Sequence, residues 1–411
     1  TGDGGETGDG GETGDGGEPF GDGGEPFGDG GEPGDGGATT EPEPSAGPRG
    51  LLLITDWERD DAAYGDGAGN YRFVIMPLSL YDVLDEVRAA NPEASVLAYQ
   101  KVGGMRDDGG DHASTGVRIS EAEDAAGEAW FLHDEDGERL YYCDYAEVAA
   151  SDIGDPDYQT LWLDNVRERL HRDGWDGVFM DDVNVFPGHC LGSRGTAIAE
   201  YPSDEDYGAA LVEFMEAVGP ELIDDGFLVA PNIAMNPWED WMLTTALDVA
   251  GQSSHVFREY WMRWDDSEVF TGDMWLSTLE FYEATEALGV GFMALTYGPG
   301  DEGEAWGQRY GRASFLLSWD GEQDSAWGYL DEEVDPWSEE WEGELGLPTE
   351  PRTAVGVGWQ RAYSGGMVLL NPDDADRQAF TLDAPYIDHD GAEVDRITLD
   401  PGQAAILRAV E

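Results

Sequence analysis

The stretch of sequence that most narrows the fold reads DGWDGVFMDDV and spans residues 173–183. Its short apolar run, GVFM, ends at two aspartates, which is typical of a buried strand whose end lies at a polar edge. Amphipathic segments lie on either side of it, LWLDNVRERL at 161–170 and ALVEFMEAV at 210–218. A buried strand between two helices indicates a repeating unit of a parallel α/β sheet.

Seven similar apolar runs occur between residues 51 and 330 and alternate with helical segments. They are LLLIT (51–55), RFVIM (72–76), SVLAY (95–99), FLVAP (227–231), SSHVF (253–257), GFMALTY (291–297) and AWGYL (326–330). Eight strand candidates separated by helices predict an α/β fold, a (β/α)8 TIM barrel over residues 50–350. A doubly wound open sheet is the alternative, but an open sheet does not require eight strands, whereas this barrel does.

The segments outside this range have a different character. Residues 351–411 contain strand-like runs and turn signals but no helical segment, which predicts a C-terminal antiparallel, β-sandwich-like domain. Residues 1–49 contain TGDGGE three times and PFGDGGE twice. That period lacks the fixed apolar position of the nine-residue calcium-binding repeats. We therefore expect residues 1–49 to form a disordered, acidic tether.

The charge of the chain excludes several classes of function. Its 411 residues include 89 Asp plus Glu but only 21 Lys plus Arg, so the net charge is −68. Such a field repels phosphates and anionic lipids, which argues against binding to nucleic acids or membrane surfaces. The 15 Trp, 17 Tyr and 14 Phe indicate a folded core. The composition resembles that of haloarchaeal-type, salt-in halophiles, and a merely acidic secreted protein is the alternative.

We expect an extracellular protein that is tethered to the cell surface. No stretch approaches the ~20 apolar residues of a membrane span. Thr1 stands where an initiating methionine would, which suggests an upstream leader and, as a hypothesis, a lipid-modified cysteine before Thr1. Cys143 and Cys190 are the only cysteines. One disulfide and two unpaired thiols both remain open, as does the oligomeric state.

The residues that follow the strand candidates predict the active site, because catalytic residues of a TIM barrel lie at the C-terminal strand ends. Asp181 and Glu259 follow the fourth and sixth candidates, and Asp182 is a further catalytic candidate. Glycoside hydrolysis needs two such carboxylates, although chance carboxylates are common where roughly one residue in five is acidic. The expected substrate-binding residues are Asp56, Trp57, Tyr99, Lys101, Asn232, Arg258 and Tyr297. No zinc, phosphate-loop or nucleophile-elbow motif occurs, so we expect no metal and no cofactor.

Residues 173–183, with DPDYQTLWLDNVRERL (155–170) before them, resemble the central motif of hypothetical glycosyl hydrolase barrels related to endo-α-1,4-polygalactosaminidase-type glycosidases. WFLHDEDG (130–137) and two C-terminal segments, 358–372 and 397–407, resemble other parts of such enzymes. The resemblance implies that Asp181 is the nucleophile or stabilising carboxylate, that Glu259 is the general acid/base, and that the reaction retains configuration. Asp182 stands where the motif usually has asparagine, which leaves open which aspartate is catalytic.

The sequence therefore predicts a secreted or surface-tethered glycoside hydrolase that cleaves a polysaccharide. The alternative is a non-catalytic carbohydrate-binding or cell-surface structural protein built on the same barrel. Asp182 and the aromatic residues near the predicted site are compatible with both.

Overall fold

The computed structural model describes residues 49–53, 71–107, 109–142, 145–187, 191, 197–264, 268–298, 305–330 and 345–410. For a few of these, including 51–53, only the backbone is described. Two predicted substrate-binding residues, Asp56 and Trp57, lie outside the described residues. Cys143, Cys190 and residues 1–48 of the predicted tether also lie outside them.

The described part of the chain contains seventeen β-strands. In chain order they are β1 (Arg49–Leu53), β2 (Tyr71–Pro77), β3 (Ser95–Lys101), β4 (Gly104–Met105), β5 (Tyr141–Tyr142), β6 (Tyr145–Ala150), β7 (Gly177–Asn184), β8 (Leu228–Ala234), β9 (His255–Arg258), β10 (Gly291–Tyr297), β11 (Ala326–Leu330), β12 (Thr353–Val355), β13 (Gly358–Tyr363), β14 (Gly366–Asn371), β15 (Gln378–Ile387), β16 (Glu393–Leu399) and β17 (Gln403–Ala409).

The same residues contain seven α-helices and two short 3₁₀ helices, Leu78–Val83 and Gly110–His112. The α-helices are α1 (Leu84–Ala90), α2 (Ile119–Ala126), α3 (Pro156–Asp173), α4 (Asp204–Asp224), α5 (Asp240–Ala250), α6 (Gly272–Ala287) and α7 (Ala305–Ser318). No helix in these ranges combines the length and hydrophobicity needed to cross a membrane.

Local sequence signals set the bounds of α3, which leads into β7. The Asp155 carboxylate accepts hydrogen bonds from the backbone N–H groups of Asp157 and Tyr158, and Pro156 is the first helical residue. This combination of an N-cap and a first-turn proline begins a helix. Gly174 ends it with a φ of 79°, a left-handed conformation that glycine adopts without strain. The chain then turns directly into β7.

Eight parallel strands among the described residues close into a barrel in the order β1-β2-β3-β7-β8-β9-β10-β11, and β11 pairs with β1. Side chains are described for seven of these strands, whereas β1 is defined by its backbone pairing. Alternate residues fill the barrel interior, among them Phe73, Leu97 and Phe179. The residues between them face the helices in a second, larger core. The α/β barrel that the sequence predicts is confirmed, and closure excludes the open sheet.

A small antiparallel sheet, in the order β4-β6-β5, is inserted between β3 and α3. It was not predicted, because two of its strands are only two residues long. The insertion brings Tyr142 and Tyr145 over the end of β3. It therefore forms part of the wall around the barrel mouth.

The C-terminal strands form one six-stranded antiparallel sheet in the order β12-β13-β14-β17-β15-β16. Phe380 and Gln378 of β15 lie against Gly358 of β13, although two strands separate β13 and β15 within the sheet. The sheet thus folds over an apolar core that includes Leu369 and Leu407. The predicted antiparallel β domain is confirmed, and it consists of a single sheet folded over one core.

Candidate active site

The alternation of side chains along the barrel strands decides which residues meet at its mouth. Leu97, Phe179, Ala230, Phe257 and Leu295 point into the barrel interior. Because the side-chain period of a strand is two, the next inward positions lie two residues further along. These positions are Tyr99, Asp181, Asn232, Glu259 and Tyr297, all of which the sequence singled out. The structure brings all five together at the C-terminal ends of the strands.

Asn232 links the two predicted catalytic carboxylates. Its Nδ2 atom donates to Asp181 Oδ1 at 3.1 Å and to Glu259 Oε2 at 2.7 Å. The two oxygen atoms can therefore be no further apart than these two distances combined. The Glu259 backbone N–H donates in turn to Asn232 Oδ1 at 3.3 Å. The amide thus sets both the spacing of the carboxylates and the backbone position of Glu259.

Each carboxylate also accepts a hydrogen bond from a tyrosine. Tyr99 Oη donates to Asp181 Oδ2, and Tyr297 Oη donates to Glu259 Oε1 at 2.6 Å. Burial and the neighbouring negative charges hold the pKa of both phenols well above the usual range. Both tyrosines therefore remain hydrogen-bond donors at any physiological pH.

Glu259 has the electrostatic environment of an acid. Burial raises the pKa of its carboxyl group, and the nearby charge of Asp181 raises it further. The hydrogen bonds from Tyr297 and Asn232 oppose these effects without reversing them. A carboxyl group with a raised pKa beside a second carboxylate is the arrangement that separates a proton donor from an anion.

Lys101, the only lysine of the chain, lies between the two adjacent aspartates. Its side chain is buried, its Nζ atom is 3.6 Å from Asp181 Oδ2, and it forms an ion pair with Asp182 Oδ2. The Tyr142 ring lies 4.8 Å from the same Nζ atom. The ammonium group thus compensates the charge of two carboxylates at once.

Backbone strain is concentrated beside the two carboxylates. Among the described residues, the non-glycine residues with positive φ are Asp182 (56°), Tyr260 (57°) and Met262 (62°). Each follows Asp181 or Glu259 by no more than three residues. Left-handed backbone at a side-chain-bearing residue is unfavourable and persists where the surrounding structure enforces it, commonly at functional sites.

Arg258 is not part of the cluster, in contrast to the prediction that it binds substrate. It precedes Glu259 and therefore points to the opposite face of β9. Its buried guanidinium donates to the carbonyl groups of Ile233 at 2.7 Å and Met235 at 3.3 Å. Burial lowers its pKa to about 10, so it stays charged at neutral pH. We assign Arg258 to holding the backbone at the end of β8.

Two aromatic residues that the predicted substrate-binding set did not include extend the cluster. The Tyr260 ring lies 5.0 Å from the Tyr297 ring, and the Trp264 ring lies 5.4 Å from the Tyr260 ring. The signal for them was the segment EYWMRW at 259–264, with three aromatic residues directly after a strand. Within the described ranges, no group of three or more His, Cys, Asp and Glu side chains is arranged to hold a metal ion.

A family model described as hypothetical glycosyl hydrolase family 15 matches residues 88–367. The match covers more than half of the chain and includes every clustered residue described above. The chain belongs to this family. Membership of a glycosyl hydrolase family supports glycosidase activity and a carbohydrate substrate. A comparison with curated proteins gives no match.

Several solved glycosidase structures are similar to this chain at low identity. A family GH13_31 enzyme is 8% identical, with a TM-score of 0.51 over 88% of this chain and 99% of that chain. The GH36 α-galactosidase AgaA from Geobacillus stearothermophilus is 10% identical, with a TM-score of 0.48 over 88% of this chain. The noncanonic maltogenic α-amylase AmyB from Thermotoga neapolitana is 9% identical, with a TM-score of 0.47 over 84% of this chain and 92% of that chain. This chain spans about 55% of the length of the α-galactosidase AgaA. The first of these likenesses shows a shared fold.

Proposed function

We propose that the protein is a retaining glycoside hydrolase that acts on a polysaccharide, with Asp181 as nucleophile and Glu259 as general acid/base. The observation that carries the proposal is the single amide of Asn232, which holds one oxygen of each carboxylate. Two carboxylates at such a spacing, in the mouth of a barrel, are the machinery of glycoside hydrolysis.

The spacing favours retention of configuration. Carboxyl groups lie ~5–5.5 Å apart in retaining enzymes and ~6.5–9.5 Å apart in inverting enzymes, where a water molecule must fit between them. The Asn232 Nδ2 atom contacts one oxygen of Asp181 at 3.1 Å and one of Glu259 at 2.7 Å, and this shared contact favours the shorter spacing. A nucleophile that attacks the sugar directly needs no intervening water.

The surroundings of the two carboxylates support a different role for each. Asp181 receives hydrogen bonds from Tyr99 and Asn232 and lies beside the Lys101 ammonium, all of which stabilise negative charge. It is therefore the group that attacks the anomeric carbon. Glu259, with its raised pKa, donates a proton to the departing glycosidic oxygen. It then takes a proton from the water that releases the sugar from Asp181.

Asp182 does not share the bridge. It pairs with Lys101, and no hydrogen bond links it to Asn232 among the described contacts. We assign Asp182 to holding the Lys101 ammonium in place, and this assignment supports Asp181 as the nucleophile.

A salt-replete screen on amino polysaccharides of the galactosaminogalactan type and on neutral polysaccharides tests the proposal. Asp181→Asn and Glu259→Gln should each lower turnover by at least about a thousandfold, whereas the matched Asp182→Asn variant should retain far more. Azide should rescue Glu259→Ala and release a glycosyl azide that has the anomeric configuration of the substrate.

Two outcomes would contradict the proposal. Loss of activity in Asp182→Asn with full activity in Asp181→Asn would make Asp182 the nucleophile. Binding of a polysaccharide without turnover, by wild type under every condition, would favour a non-catalytic carbohydrate-binding surface protein.

We also propose that the protein acts at the cell surface, with residues 1–49 as the spacer. The support is the composition of that segment, whose glycine and acidic residues favour an extended chain. Mass spectrometry of the native amino terminus tests this, and a lipid-free, unprocessed terminus inside the cell would contradict it.

A further inference from the structure

The cluster continues away from Glu259 as a row of aromatic rings. Tyr297, which donates to Glu259, lies 5.0 Å from Tyr260, and Tyr260 lies 5.4 Å from Trp264. We call these three residues the aromatic row. Trp264, at its end, is 41% exposed. Large aromatic surface that is left open to solvent beside polar groups is typical of a binding site.

The row ends at a pocket of about 420 Å³. This volume falls within the range of small-ligand sites, about 300–1,000 Å³. The pocket lies on the loop between β9 and α6, which follows the strand that leads to Glu259 and so belongs to the same face of the barrel. Its lining residues are Trp264, Glu268, Val269, Phe270, Thr271 and Met274.

The backbone between Glu259 and Trp264 is held rigidly. Trp261 is buried, its backbone N–H donates to the Leu295 carbonyl at 2.7 Å, and its Nε1–H donates to the Gly311 carbonyl at 2.9 Å. Left-handed residues, Tyr260 and Met262, lie on either side of it. These anchors enforce the strained conformation and fix Tyr260 between the rings of Tyr297 and Trp264.

We infer that the aromatic row and its pocket bind the sugar units on the leaving-group side of the cleaved bond. The inference rests on the proposed function, in which Glu259 protonates the departing oxygen. The sugar attached to that oxygen lies on the Glu259 side of the site, where the row begins. The apolar faces of successive sugar rings stack on Tyr260 and Trp264.

Charge narrows the class of glycan. Glu268 lines the pocket, and the net charge of the chain is −68. Both disfavour a glycan rich in uronic acids, whereas amino groups and neutral hydroxyl groups can donate to a carboxylate. The subsite therefore takes neutral or amino sugars, and the enzyme requires a chain that extends beyond the cleaved bond.

An array of immobilised neutral, amino and uronic-acid glycans tests the subsite without turnover, with Glu259→Gln as the background. The Glu259→Gln variant should bind neutral or amino glycans of three or more units. Adding Trp264→Ala should weaken that binding by at least about tenfold, which corresponds to ~1.4 kcal/mol. Trp264→Phe, which keeps a ring, should restore most of it. Leu288→Ala is the matched control, because Leu288 is 52% exposed and apolar but lies just before β10, at the opposite end of the barrel strands.

Binding that is absent, that favours uronic acids or that is insensitive to Trp264→Ala would overturn the subsite. Failure of the proposed function is a separate result, because it appears as a lack of turnover by wild type. Binding that depends on Trp264 in a protein without turnover would keep the aromatic row as a glycan-binding site but reject both the hydrolase and the leaving-group assignment.

Discussion

Lys101 is the residue whose replacement should be most informative at the catalytic centre. In Lys101→Met, the charges of Asp181 and Asp182 lose their shared counterion. The extra negative potential should raise the pKa of Glu259 further, and loss of the Glu259 proton sets the alkaline limb of the rate profile. We expect the alkaline limb of the kcat/KM profile to move up by roughly half a pH unit or more, with kcat at least about tenfold lower.

Two further variants make this prediction specific. Lys101→Arg, which keeps the charge, should return the alkaline limb toward its wild-type position. Arg167→Met removes a positive charge from the exposed face of α3, where Arg167 pairs with Asp225 and Glu221, and should leave the limb in place. An unmoved limb in Lys101→Met would mean that Lys101 does not act on Glu259.

Among single residues, the sequence correctly predicted those that follow a buried apolar run and face the barrel interior. Asp181 and Glu259 were found because each lies at the end of a buried apolar run, and the structure shows that each also continues the inward alternation of its strand. Arg258 was predicted to bind substrate because it is a polar residue at a strand end. The alternation of side chains along β9 turns it away from the barrel interior. The bridge through Asn232 could not be predicted, since it depends on the distance between β7, β8 and β9 in the closed barrel.

Buried Arg361 is one of the residues that hold helix α7 to the C-terminal sheet. Arg361 Nη1 on β13 donates to the carbonyl groups of Leu316 and Leu317 at 3.1 Å each and of Trp319 at 2.6 Å. These are carbonyl groups at the end of a helix, which need such partners. Arg361→Met should lower the free energy of unfolding by about 2–3 kcal/mol, as urea denaturation would measure.

Arg377→Met is the control for this variant. Arg377 also lies near the C-terminal sheet, but its side chain is 71% exposed and it pairs with Asp400 at the surface. Its loss should change the free energy of unfolding by no more than about 0.5 kcal/mol. Equal effects of the two substitutions would show that the carbonyl contacts contribute little.

Helix α6 ends near a buried carboxyl group that makes stability depend on pH. Glu286 accepts from Ser325 Oγ–H at 2.7 Å and from the Asp320 N–H at 2.8 Å, and burial raises its pKa from 4.5 to about 8. A raised pKa in the folded state means that stability is fully present below pH 4.5 and is lost as the pH rises through 8. The Tm should therefore fall across this window.

Glu286→Gln isolates this contribution. The amide does not titrate, so the fall in Tm between pH 5 and about 9 should be smaller than in wild type. Calorimetry of both proteins at constant ionic strength measures the difference. Parallel Tm curves would assign the pH dependence to other groups.

At the level of elements, the apolar runs marked the barrel strands because a buried parallel strand needs a continuous apolar core. The insertion β4–β6 escaped detection because its strands are short and its polar and apolar residues follow no period. The C-terminal sheet was found, but its folding over one core depends on the contact between β13 and β15, which are remote in sequence.

The net negative charge of the chain should make the stability of the whole molecule depend on salt. Thirteen acidic residues lie in residues 1–48, which leaves a net charge of −55 on residues 49–411. Self-repulsion at this density should destabilise the folded state below about 0.1 M salt, where the Debye length is ~10 Å, and screening should restore it. We expect the Tm to rise by ten degrees or more between about 0.05 and 2 M KCl.

A thermal series in KCl measures this, with sucrose as an uncharged control at matched osmolality. Sucrose should give a smaller rise, because it does not screen charge. A Tm that is independent of salt would reject both the screening argument and the halophilic origin predicted from composition.

The enclosed position of Lys101 has a consequence for labelling. Since the chain has a single ε-amine, an amine-reactive dye can modify one side chain at most. That amine is buried and paired with two carboxylates, so it reacts only when the end of β3 comes apart from β7. The rate at which Lys101 is labelled, followed by mass spectrometry, therefore measures the rate of local opening at the catalytic centre. A bound glycan should slow the labelling of Lys101. The labelling rate would therefore detect binding of a sugar even where no assay detects its cleavage.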